Sequence, residues 1–323
     1  MIRAIISLDR RMTLEERYIQ LHNRAVLLIL WSAHLAAYAA DEGTIVFYSN
    51  RDGNGEIYVM NAEGRNLRRL TNTLAEEESP EWSPDGKKIV FWSRRDGNNE
   101  IYVMNADGSN QINLTNHPFP DTDATWSPDG TKIAFTSFRD GGVPHIYIIG
   151  ADGGNVQQLT DQLDFAPSWS PDGDKIAIQS LRDGNDEIYV IDADSKTPLR
   201  LTSHPDSDLA PAWSPDGTRI AFQSNRDGNA EIYVIQPDAQ NLRRLTNEPE
   251  TDGLPAWSPD GKKIVFWSKR DGNSEIHTMN ADGTNVTRLT NHPKSDLNPH
   301  WTAQINKTVI LPTLWGWIKV NEE

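Results

Sequence analysis

Short apolar runs and polar turn signals alternate along this chain, and the alternation recurs. In residues 81–115, β-branched and aromatic runs fall at Lys88–Ser93, Glu100–Met104 and Gln111–Thr115. They are separated by Pro84-Asp85-Gly86, Asp96-Gly97-Asn98 and Ala106-Asp107-Gly108. Runs of this length predict strands, and the Asp-Gly pairs predict hairpins because both turn residues accept positive φ. With a strand ending at Trp82–Ser83, the unit predicts four antiparallel strands, A to D.

The unit repeats. Arg-Asp-Gly places aspartates at Asp52, Asp96, Asp140, Asp183, Asp227 and Asp271, in steps of 44, 44, 43, 44 and 44 residues. Trp-Ser-Pro-Asp-Gly runs in phase, with Trp82, Trp126, Trp169, Trp213 and Trp257, and a degenerate sixth copy starts at Trp301. A 40–45-residue repeat of short strands predicts an all-β, six-bladed β-propeller of four-stranded antiparallel blades. The chain opens on a B strand at Thr44–Ser49 and closes on an A strand at Trp301. Six complete blades therefore require the C-terminal A strand to join the N-terminal B strand, which also leaves no open sheet edge.

The repeats assign residues 41–303 to the propeller, residues 1–40 to an N-terminal segment and residues 304–323 to a tail of unassigned structure. The N-terminal segment has a charged flank, an apolar stretch from Ala25 to Ala37 and the exit Ala37-Tyr38-Ala39-Ala40. That order predicts a secretory signal, with an amphipathic or buried helix as the other reading. The stretch is too short for a stable membrane span, which needs about 20 apolar residues. Export places the protein in the periplasm or outside the cell.

Charge narrows the partners. Lys and Arg total 31 against 46 Asp and Glu, a formal charge of −15. Nucleic acid is excluded as an expected partner because phosphate binding needs a basic surface. A cationic protein or peptide, or a metal ion, suits this charge better. There is no cysteine, so disulfides, thiolate metal sites and cysteine nucleophiles are excluded. No Gly-x-Ser-x-Gly, His-Glu-x-x-His or phosphate-cradling glycine loop is present, and near-identical repeats argue against catalysis, which needs unlike groups converging on one atom.

The succession Trp-Ser-Pro-Asp-Gly, Ile-Ala-Phe-x-Ser, Arg-Asp-Gly-Asn, Glu-Ile-Tyr-Val-Met, Ala-Asp-Gly and Arg-Leu-Thr resembles the WD-repeat-like blade of the TolB-type propellers. The resemblance covers most of the chain in six copies. It implies a TolB-like propeller with a binding or scaffold role in the bacterial envelope. TolB itself is a periplasmic component of the Tol–Pal system and binds a peptidoglycan-associated lipoprotein through its propeller. Its α/β domain before the propeller has no counterpart in the sequence in hand.

Candidate sites follow from the repeat phase. The Asp-Gly-Asn loops suggest calcium, but a calcium loop needs six or more oxygens from alternating acids, and a B–C hairpin accounts for the same residues. Five residues before each tryptophan stand Glu77, Asp121, Asp164, Asp208, Asp252 and Asp296. Six blades would make these a ring of carboxylates at one mouth of the central channel, suited to a divalent cation such as calcium or to a cationic partner. Their structural reading is equally concrete. Pairing Ser83 with about Lys88 sets Glu77 beside Arg94–Arg95, so each ring carboxylate meets the arginine of its own Arg-Asp-Gly.

Departures from the repeat mark places for a unique site. Gly141-Gly142-Val143-Pro144-His145 replaces Asp-Gly-Asn-x-Glu in the third copy. Glu81 and His300 precede tryptophans where other copies have small residues, and they become neighbours when the ring closes. His117, His204 and His292 precede prolines on the acidic face as metal-ligand candidates or plain loop residues. Trp92 and Trp267 read as blade packing. The expected function is a monomeric, non-enzymatic binding propeller with no required cofactor, presenting an acidic loop face to a protein or peptide. The alternative is a lyase or hydrolase acting on a sugar or lactone at a metal in the channel mouth.

Overall fold

The computed structural model describes residues 43–302, so the N-terminal segment and the tail lie outside the described residues. The strands are β1 (Thr44–Ser49), β2 (Glu56–Asn61) and β3 (Arg68–Arg69), then β4 (Glu77–Trp82), β5 (Lys88–Ser93), β6 (Glu100–Asn105) and β7 (Ile112–Asn113). Next come β8 (Asp121–Trp126), β9 (Lys132–Asp140), β10 (Val143–Gly150), β11 (Gln157–Gln158), β12 (Asp164–Trp169), β13 (Lys175–Ser180), β14 (Glu187–Asp192) and β15 (Pro198–Arg200). The series ends with β16 (Asp208–Trp213), β17 (Ile220–Ser224), β18 (Glu231–Ile235), β19 (Arg243–Arg244), β20 (Asp252–Trp257), β21 (Lys263–Ser268), β22 (Glu275–Asn280), β23 (Thr287–Arg288) and β24 (Asp296–Thr302).

These form six four-stranded antiparallel sheets. Blades 2 to 6 take consecutive strands from β4 onward, while blade 1 has the order β24-β1-β2-β3. The ring thus closes as the strand count requires, with Ile45 opposite Trp301 and Ser49 opposite Asp296. The outermost strands are shorter than the sequence suggests. β7, for example, holds Ile112–Asn113 only, because its outer face meets solvent and Ile112 is half exposed.

The apolar core lies between blades. One cluster joins Val90 and Ile101 of blade 2 to Trp126, Ile133, Phe135 and Ile149 of blade 3, and five further clusters repeat this arrangement around the ring. Phe47, Phe91, Phe135, Phe222 and Phe266 are fully buried at matching B-strand positions. Each such side chain contributes roughly 1.5–3 kcal/mol of burial free energy. No blade can bury both faces alone, so the stack supplies the stability.

Every inner strand carries a β-bulge that the sequence does not announce. In blade 2 the register runs Trp82 to Ile89 and Glu81 to Val90, then slips so that Glu78 faces Trp92 and Glu77 faces Ser93. The extra residue is Ser79, at φ 48°, and Asp123, Ala166, Ala210, Leu254 and Asn298 occupy the same left-handed conformation at φ 46–50°. A one-residue slip reverses which face a side chain points to. The bulge therefore turns each ring carboxylate towards its B-strand serine.

The turn glycines of the C–D hairpins are held against the preceding blade. A Cβ on Gly108, at φ 89°, would stand 2.6 Å from the Leu70 carbonyl oxygen, whereas one on Gly130, at φ 70°, would meet nothing nearer than Pro84 Cδ at 4.0 Å. Gly130→Ala is expected to cost about 1–2 kcal/mol of backbone strain. Gly108→Ala should cost about 1–3 kcal/mol more, from overpacking between blades. Urea midpoints of the two variants measure the difference.

Candidate functional site

The Arg-Asp-Gly turn builds the same anchor in every blade. Its arginine donates from Nε to the last serine of the B strand, as in Arg95 to Ser93 Oγ at 2.9 Å and Arg226 to Ser224 Oγ at 2.8 Å. Its guanidinium then meets the ring carboxylate. The pairs are Arg51–Asp296, Arg95–Glu77, Arg139–Asp121, Arg182–Asp164, Arg226–Asp208 and Arg270–Asp252, at 2.8–3.1 Å. All six ring carboxylates have no exposed side-chain surface. Five of these guanidiniums lie over C-strand tyrosines, as Arg182 does over Tyr189 at 4.4 Å, and Arg270 lies over Phe266 of its B strand.

The aspartate of each turn fixes the loop. Asp52, Asp96, Asp183 and Asp227 accept the hydroxyls of Tyr58, Tyr102, Tyr189 and Tyr233. Tyr147 donates to Asp140 at 2.6 Å, and His277 takes the tyrosine's place against Asp271 at 3.2 Å. Burial, together with this bond to a carboxylate, pushes Tyr189 and Tyr233 up to about 12. The six aspartates are thus occupied as hairpin pins.

A third element was missed by the sequence reading. The glutamate that opens the C strand in five blades clamps the D–A loop. Glu100, Glu187 and Glu275 accept the main-chain N–H of His117, His204 and His292 at 2.7–2.9 Å. Those histidines in turn accept through Nδ1 from the N–H two residues on, each at 3.2 Å, so they shape loops. Blade 3 has a D–A loop two residues shorter. There His145 replaces the glutamate, and its Nδ1 lies 2.7 Å from the Gln162 carbonyl oxygen. A carbonyl accepts, so Nδ1 carries the proton, and the polarity of the clamp has reversed with the loop. The Glu-x-Tyr spacing of the other copies was the available signal.

Inside the ring the bulged strands surround a central cavity of about 760 Å³. Its wall is unlike on its two sides. Glu78, Glu81, Asp123, Asn298 and His300 lie on three successive inner strands, and Ala166, Ala210, Ala212, Leu254 and Ala256 lie opposite. The Glu–His contact at the seam is present: His300 Nε2 is 3.9 Å from Glu81 Oε2. His300 Nδ1 accepts from the Trp82 N–H at 3.2 Å, and Glu81 Oε1 accepts from the Trp126 N–H and Thr125 Oγ1, each at 2.9 Å. The two side chains therefore tie β24 to β4 and β4 to β8. Burial pushes Glu81 up to about 7, against the Trp126 and Thr125 bonds, and lowers His300 to about 4. Trp92 is buried between blades and Trp267 packs against the next core cluster.

Where the D–A loops enter the inner strands, their tips differ around the ring. Three successive loops present the exposed apolar side chains Leu74, Phe119 and Leu163, of which Leu74 is the most exposed large apolar side chain described. The next three present Asp206, Glu250 and Lys294 at exposed tips. Among the described residues no three His, Cys, Asp or Glu side chains are grouped to hold a metal ion. No described helix is long and apolar enough to cross a membrane.

A ring of six near-equivalent blades, each pinned by a buried arginine–carboxylate pair, defines a closed repeat propeller with one elaborated loop face. The chain belongs to the TolB beta propeller domain family, whose model matches residues 31–110, 77–164, 161–236 and 207–320. A Tol-Pal system protein TolB of Geobacter sulfurreducens is 41% identical over 46 residues, which are 14% of this chain and 11% of that protein. The matched segment is thus about a tenth of the curated relative's length. The TolB structure from Acinetobacter baumannii is 22% identical, with a TM-score of 0.73 over 82% of this chain and 68% of that one. A TolB-type structure from Agrobacterium tumefaciens is 27% identical, with a TM-score of 0.64 over 81% of this chain and 91% of that one. Oligogalacturonate lyase from Vibrio parahaemolyticus is more distant, 16% identical at a TM-score of 0.51 over 76% of this chain and 73% of that one, a likeness of fold alone.

Two outcomes follow. Arg226→Ala leaves Asp208 buried without its cation, so a loss of about 3–5 kcal/mol is expected. Arg94→Ala, which removes an exposed pair with Glu76, should cost no more than about 1 kcal/mol. Urea unfolding of the two variants makes the comparison. Glu81 has a folded value of about 7 against an ordinary 4.5, so it disfavours folding progressively as pH rises between those values. Glu81→Gln keeps the acceptor and removes the charge. Its stability relative to wild type should grow between pH 4.5 and 7, by at most about 3.5 kcal/mol at ~1.4 kcal/mol per unit, read from unfolding midpoints at a series of pH values.

Proposed function

We propose that this protein is a non-enzymatic binding propeller of the cell envelope that presents its D–A loop face to a protein or peptide partner. The observation that carries the reading is the division of that face. An apolar arc of Leu74, Phe119 and Leu163 stands beside a charged arc of Asp206, Glu250 and Lys294. Protein partners are held by apolar anchors within a polar rim, and the formal charge of −15 favours a partner with basic residues around its apolar contact. The six ring carboxylates act beneath this surface. Paired with their arginines, they hold the loops at fixed heights, and the contact itself falls to the loop tips. Membership of the TolB propeller family supports a protein-binding role and an envelope location.

The test is capture from a solubilised envelope fraction by the tagged full chain. Leu74→Glu, Phe119→Glu and Leu163→Glu combined should abolish retention of the partner. Ile112→Glu, at an exposed apolar residue on an outer strand, should leave it unchanged. Equal retention by all three proteins would overturn the assignment of the face.

A further inference from the structure

Four blades share one way of closing the clamp glutamate. One oxygen takes the loop N–H, and the other takes the hydroxyl of the threonine that ends the D strand. Thr115, Thr202, Thr246 and Thr290 donate to Oε2 of Glu100, Glu187, Glu231 and Glu275 at 2.5–2.6 Å. In each, the next ring carboxylate is an aspartate.

The junction of blades 1 and 2 is built differently. The ring position there is Glu77, one methylene longer, and its side chain reaches the clamp residue Glu56. Neither residue has exposed surface. Each spends Oε1 on donors. Glu56 Oε1 accepts from Arg69 and from the Thr73 N–H at 3.0 Å. Glu77 Oε1 accepts from Thr73 Oγ1 at 2.6 Å, Ser93 Oγ at 3.0 Å and Arg95 Nη2 at 3.1 Å. Each is left with an Oε2 that has no donor. Two buried carboxylates that meet, each with a donorless oxygen, repel unless something is bound between them.

We propose that Glu56 and Glu77 share one proton across this junction, and that the shared proton sets the conformation of the loop presenting Leu74. The link to the loop is Thr73, gripped through its N–H by Glu56 and through its hydroxyl by Glu77, immediately before Leu74. Asn54 reinforces the grip by donating to the Thr73 carbonyl at 3.2 Å and to the Ala75 carbonyl. The charged groups facing the pair are Arg69 from β3, with Asp52 behind it, and Arg95 from the β5–β6 turn. Glu76, beside Glu77, is engaged by Arg94. Two arginines against two carboxylates hold one proton only because both acids are desolvated. Burial and the Glu56 contact raise Glu77, while Thr73 and Arg95 lower it. A raised acid gives stability that is present at low pH and lost as pH rises through its folded value. The second ionisation therefore loosens Thr73 and frees the Leu74 tip. As regulation of docking, this rests on the loop-face reading above; as a property of the loop, it does not.

The experiment uses the full chain without any partner, in EDTA, from pH 5 to 9. Unfolding midpoints and hydrogen exchange over residues 71–77, corrected for intrinsic rates, are followed for wild type, Glu77→Gln and Glu77→Asp. Glutamine supplies a permanent donor, and aspartate withdraws the carboxylate as in the other five blades. In wild type, exchange over 71–77 should accelerate about tenfold as pH rises, the equivalent of about 1.4 kcal/mol, and the midpoint should fall. Both variants should show a flatter response. Parallel behaviour of all three proteins would overturn the shared proton. So would a wild-type stabilisation by added calcium or magnesium that Glu77→Gln lacks, since the pair would then hold a cation. Because neither readout involves docking, failure of the Leu74, Phe119 and Leu163 capture test leaves this result standing, and the reverse also holds.

Discussion

A carboxylate with no exposed surface must be paired, and in this ring that requirement is met six times by the arginine of the B–C turn. The pair spans two strands that are neighbours in one sheet and fixes the loop where both end. Arginine suits the place because its planar fork reaches serine, carboxylate and an aromatic face at once. In blade 1 the pair also joins β1 to β24, so the chemistry that pins a hairpin in five blades seals the circle in the sixth. The loop heights, the cavity wall and the tips that face a partner all take their positions from these pins.

Most of the fold was legible because its signals are local and repeated. Asp-Gly turns, β-branched runs and a fixed period specified blade number, strand order and closure. The arginine–carboxylate pairing was legible too, since hairpin register follows from turn position. What escaped was the bulge at Ser79 and its five counterparts. Ser, Ala and Leu do not mark a left-handed residue, and Asp123 and Asn298, whose types visit that region more readily, fill only two of the six positions. The clamp glutamates escaped for another reason: their partners are loop N–H groups some 17 residues away, which have no side-chain signature. The length of the third D–A loop and His145 change together, a coupling visible only when both are placed in space.

Repetition builds the platform, and departures from it carry the individuality. Glu81 and His300 replace small residues and stitch three inner strands. Glu77 replaces aspartate and meets Glu56. Phe119 stands where three other loops have Asp206, Glu250 and Lys294, and Leu74 where four other loops have proline. These departures gather on blades 1 to 3, which gives the ring a polar and structurally distinctive side and a plainer one of alanine and proline. A partner that must recognise one orientation of a nearly sixfold object can do so only through such differences.

Closure by β24 has a kinetic side. Blades 2 to 6 are each assembled from strands that follow one another, so their contacts are local and quickly made. Blade 1 waits for Ile45 to find Trp301 from the far end of the described chain. Until it does, β1 offers an unpaired edge, and a β24 from a second molecule fits it as well as its own. Loop-closure entropy makes the intramolecular route slow without greatly weakening the final state. The seam is therefore where concentration during folding decides between a closed ring and an exchanged strand.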